Sequence, residues 1–63
     1  MKTTYDSEID ALYVNLSDSP AVESEEVSPG MILDFDANNK LVGIELLNAK
    51  VKLAADALSS AAE

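Results

Sequence analysis

Four side chains come nearest to a ready-made site. Asp34, Asp36 and Asn38 hold the first, third and fifth positions of a calcium loop, Leu41 its apolar eighth and Glu45 its bidentate last. Oxygen donors at that spacing suit a hard divalent cation. The sixth position, normally glycine, is Asn39, which can take the same left-handed conformation at some cost. Such a loop is entered by a helix, however, and Pro29-Gly30 stands just ahead of Asp34, where that helix would have to run. Strand-forming segments flank it instead. The pattern therefore predicts a polar hairpin tip, with divalent-cation (calcium) binding through Asp34, Asp36, Asn38 and Glu45 as the alternative.

Asp6, Glu8 and Asp10 form a second carboxylate cluster, and paired carboxylates serve as general acid and base in glycoside hydrolysis. Here they alternate along one polar turn, in a chain of 63 residues too short to enclose a sugar cleft. Their simpler role is local: Asp6 and Asp10 bond nearby amides and fix the turn. The chain has no histidine, cysteine, arginine or tryptophan. The common proton shuttle, the thiolate nucleophile or metal ligand and the planar phosphate fork are thus all missing. No enzyme and no cofactor is expected.

Charge points to a partner class. The net charge is −8, and all of it falls in residues 1–36, because acidic and basic side chains balance over 37–63. An acidic half repels nucleic acid and anionic lipid, both of which are bound through Lys and Arg on phosphates. A basic protein fits better. Glu23, Glu25 and Glu26 read most simply as a solvated strand, and functionally as a docking surface for such a protein. No apolar run approaches the ~20 residues of a membrane helix, and Met1–Asp6 lacks the apolar core of a signal peptide. A cytoplasmic protein without a membrane partner is expected.

The elements that must position these groups are mostly strands. Lys2–Tyr5 is rich in β-branched and aromatic residues and stops at a polar turn. Ala11–Leu16 alternates, with Leu12, Val14 and Leu16 on one face and Ala11, Tyr13 and Asn15 on the other. Ser17-Asp18-Ser19-Pro20 is a turn cluster that reverses the chain into the weak, acidic strand Ala21–Val27. Ser28-Pro29-Gly30 has the proline-glycine order of a type II turn. Met31–Phe35 and Leu41–Leu47 then pair around Ala37-Asn38-Asn39-Lys40, whose asparagines tolerate positive φ. Gly43 leaves room for a neighbouring side chain or backbone to come close. After Asn48 the composition turns to Ala, Lys and Leu, and Val51, Ala54, Ala55, Leu58 and Ala62 fall on one helical stripe.

The expected fold is α+β: one domain over 1–63, a small antiparallel meander of four to five strands over about 2–47, and a C-terminal α-helix over about 51–61. Tyr13, Ile32, Leu41 and Leu47 lie away from a core of Leu12, Val14, Val42, Ile44 and Leu46. A sheet apolar on both faces needs two covers, and one short helix supplies one. The second cover is expected to be another copy of the chain or a small basic protein.

Taken in order, Tyr5-Asp6-x-Glu8-x-Asp10-Ala11-Leu12-Tyr13-Val14-x-Leu16, Glu25-Glu26-Val27-x-Pro29-Gly30-Met31-Ile32-Leu33-Asp34-Phe35-Asp36 and Leu41-Val42-Gly43-Ile44-Glu45-Leu46-Leu47-x-Ala49 resemble a known family. It is the small bacterial family called domain of unknown function 2283. The resemblance implies a compact antiparallel sheet with a C-terminal helix, no accepted activity and no established ligand. It also implies a gene beside that of another short protein, and with it a neutralising, antitoxin-like binding role. Asn38-Asn39 departs from the glycine-containing hairpin tip common in that family.

Overall fold

The computed structural model describes residues 1–60 of the chain. Five strands form one antiparallel sheet: β1 Lys2–Asp6, β2 Ala11–Asn15, β3 Glu23–Ser28, β4 Met31–Phe35 and β5 Leu41–Leu47. Their lateral order is β1-β2-β5-β4-β3. This corrects the expected meander, because β2 pairs with β5 and not with the strand that follows it. The reason lies in composition. β5 is apolar except at Gly43 and Glu45 and gains most from neighbours on both sides, whereas β3 has three glutamates, is exposed throughout and sits at an edge. Residues 16–22 make the connection, crossing three strand spacings of about 14 Å in all, well within their extended reach.

Register assigns each side chain a face. The pairs Tyr5↔Leu12, Leu12↔Leu46, Val14↔Ile44 and Leu33↔Ile44 put these residues on a first face. The pairs Tyr13↔Glu45, Ala11↔Leu47, Ile32↔Glu45, Asp34↔Gly43 and Ser24↔Asp34 make the second. Two irregularities interrupt the ladder, one between Glu26 and Ser28 and one between Asp34 and Phe35, where the β5 partner jumps from Gly43 to Leu41. Gly30 closes the β3–β4 turn at φ 77 and Asn39 the β4–β5 turn at φ 62, the left-handed conformations their residue types tolerate.

The C-terminal expectation is overturned. In place of a helix over about 51–61 there is a single turn, α1 Ala49–Lys52, then extended Leu53 and a 3-10 turn at Ala57–Ser60. Ala61 of the expected helix and Ala62 of the stripe lie outside the described residues. Within that stripe Val51 is 85% exposed and Ala54 and Ala55 are exposed too, while Leu58, together with Leu53 from outside the stripe, packs on Tyr5, Leu46 and Ala49. In a continuous helix two residues five apart point about 140° away from each other. Breaking the helix lets both leucines reach the sheet.

The core that results is thin. Tyr5, Ala11, Val42, Leu46 and Ala49 are the buried apolar residues among those described, and no large side chain is wholly enclosed.

Candidate functional site

The second face carries a hydrogen-bonded row of polar side chains. Tyr13 projects from β2 across β5, and its ring lies over Gly43, where an added β-carbon would meet the phenol oxygen and come within 2.7 Å of Cζ. Any side chain at 43 would make the ring shift from this position. Beyond it, Tyr13 Oη donates to Asp34 Oδ2 at 3.2 Å, and Ser24 Oγ donates to Asp34 Oδ1 at 2.6 Å. One row thus runs over four strands, from aromatic ring through carboxylate to hydroxyl. Burial pushes the Tyr13 phenol above its ordinary pKa, and its hydrogen bond to Asp34 and the charges of Asp34 and Glu45 push it further. It remains a neutral donor well beyond physiological pH.

The residues of the calcium pattern divide between the second face, which holds Asp34 and Glu45, and the hairpin tip. Asp34 is engaged as described, and Asp36 Oδ1 accepts the amides of Asn38 and Lys40, each at 2.9 Å, as a hairpin-tip carboxylate does. Asn38 is exposed at that tip, and Glu45 lies in β5 opposite Tyr13 and Ile32. Among the described residues no three Asp or Glu side chains stand close enough to hold a metal ion.

Of the residues expected to meet a partner, Tyr13, Ile32 and Leu47 lie half-buried on the second face, while Leu41 opposes Phe35 at the irregularity and is 39% exposed. The three glutamates do not act as one patch. Glu23 and Glu25 pair with Phe35 and Leu33 on the first face, whereas Glu26 turns to the second, and its Oε2 accepts the Gly30 amide at 3.0 Å.

In the β1–β2 turn, Asp6 bonds locally, accepting the Glu8 amide at 3.0 Å. Asp10 reaches further. Held at φ 54, it accepts the Tyr5 hydroxyl at 2.7 Å and the Lys50 amide at 3.2 Å, while its carbonyl takes the Ala49 amide at 3.0 Å. It satisfies amides at the start of α1 that Asn48, in left-handed conformation and without a side-chain cap, leaves open. A cleft of about 480 Å³ opens between Tyr5 and this segment, lined by Lys50, Leu53, Ala54, Ala55 and Leu58. Its walls are mainly apolar.

Residues 2–50 match the family described as Protein of unknown function (DUF2283). The chain belongs to that family. The DUF2283 match covers the whole sheet and stops within α1, so Leu53 and Leu58, which cover part of the first face, lie beyond it. No curated protein and no solved structure matches the chain. No described helix is long and apolar enough to cross a membrane.

Proposed function

We propose that this DUF2283 domain is a noncatalytic interaction module that docks a basic partner protein on the second face of its sheet. The observation that carries the reading is Tyr13, laid over Gly43 and tied to Asp34, on the face opposite the one packed by Leu53 and Leu58. An aromatic ring already fixed in place loses little entropy on contact, which is why such residues dominate interface energetics. Ile32 and Leu47 add apolar area around it, and Asp34, Glu45 and Glu26 supply negative charge. Among the described residues neither Asp34 nor Glu45 is paired with a lysine.

Charge chooses between the two expected occupants. A second copy would bring another −8 to an already acidic surface, whereas a basic protein brings the complement. Oligolysine titrated into isotope-labelled protein tests this. Amide shifts should cluster on β2, β4 and β5 around Tyr13, fade as salt is raised, and shrink in Tyr13→Ala. Shifts that avoid this face, or that ignore salt, would remove the reading.

A further inference from the structure

We propose that the outer edge of β3 is a strand-addition site for an extended, lysine- or arginine-bearing segment of the partner. The inference rests on the basic-partner reading and adds the mode of attachment. β3 ends the sheet, bonded to β4 on one side only, and all six of its residues are exposed. Its outward amides and carbonyls form a row that another strand can satisfy and a helix cannot.

Charge decides which strand is admitted. The Glu23 and Glu25 carboxylates, two residues apart and therefore on one face, have no hydrogen-bond or ion-pair partner among the described residues. A copy of this same edge would oppose glutamate to glutamate and be repelled, while a segment with basic side chains at alternate positions would pair each one. The usable length is set by the structure. The irregularity between Glu26 and Ser28 breaks the ladder, and Glu26 is already turned to the Gly30 amide, leaving Glu23–Glu26 as the docking stretch. Val22 and Val27, 64% and 47% exposed, bracket that stretch and offer apolar contacts at its ends. Ser24, inside it, donates to Asp34, so an added strand lies directly beside the row that ends at Tyr13.

The test uses two synthetic peptides of about six residues alternating lysine with threonine, one unmodified and one N-methylated at every second amide. Both carry the same charge, but the second cannot complete the ladder. The unmodified peptide should bind, slow hydrogen exchange at alternate β3 amides, and bind about tenfold more weakly to Glu23→Gln/Glu25→Gln, whose thermal unfolding serves as the folding control. The methylated peptide should bind about tenfold more weakly to the unaltered protein. Equal binding of the two peptides, centred on Tyr13, would overturn strand addition and leave the basic-partner reading standing. Absence of binding by either peptide at low salt would overturn both.

Discussion

At the scale of single residues, Tyr13, Gly43 and Asp34 behave as one unit. The need for space at Gly43 is legible in the sequence, since a glycine inside an apolar strand signals close approach. The occupant is not legible, because it comes from β2 through a pairing that bridges most of the chain. The unit makes a pH prediction. The folded phenol holds its proton more tightly than the unfolded one, so the stability it adds is complete below the ordinary phenol value of about 10 and is lost as pH rises through the folded pKa. Asp34→Asn removes the charge and weakens the bond that oppose ionisation, and tyrosinate absorbance should then rise at lower pH than in the parent. Gly43→Ala should do the same by lifting the ring away, at a cost of about 1–3 kcal/mol in denaturant unfolding. An unshifted titration in both variants would show that the ring is not held in this arrangement.

At the scale of elements, the strands are readable and the C-terminal segment is not. Alternation in Ala11–Leu16 and the Pro29-Gly30 turn locate β2, β3 and β4 to within a residue or two. The alanine-rich tail carries a helical stripe, yet four residues form α1, since a lone short helix has little to hold it and the sheet demands Leu53 and Leu58 together. What anchors the segment is Asp10, whose reach to Lys50 has no local sequence signature. Asp10→Ala removes the acceptor that the Lys50 amide and the Tyr5 hydroxyl share and should cost about 1–2 kcal/mol by thermal or denaturant unfolding. Asp6→Ala, which loses one exposed bond to its own turn, should cost less. Equal losses at the two positions would show that Asp10 does not secure the C-terminal segment.

At the scale of the whole molecule, stability is a contest between a thin core and self-repulsion. The buried apolar set is small, and a net charge of −8 spreads over a body measuring 34 × 23 × 18 Å. Composition alone announces this conflict; the order of strands, which it does not announce, moderates it by sending Glu23, Glu25 and Glu26 to the outermost edge, where water and ions surround them. The ionic atmosphere should therefore control stability. At about 0.01 M salt the Debye length is roughly 30 Å, comparable with the molecule itself, so every carboxylate feels the others; at about 0.15 M it is roughly 8 Å, less than the shortest dimension. Raising salt across that range should increase Tm by about 4–8 °C for each kcal/mol of repulsion relieved. Glu23→Gln/Glu25→Gln should be more stable than the parent at the low end and converge with it at the high end. A melting temperature that falls with added salt would mean that attraction between charges outweighs repulsion, and that the acidic edge stabilises the free domain instead of waiting for a partner.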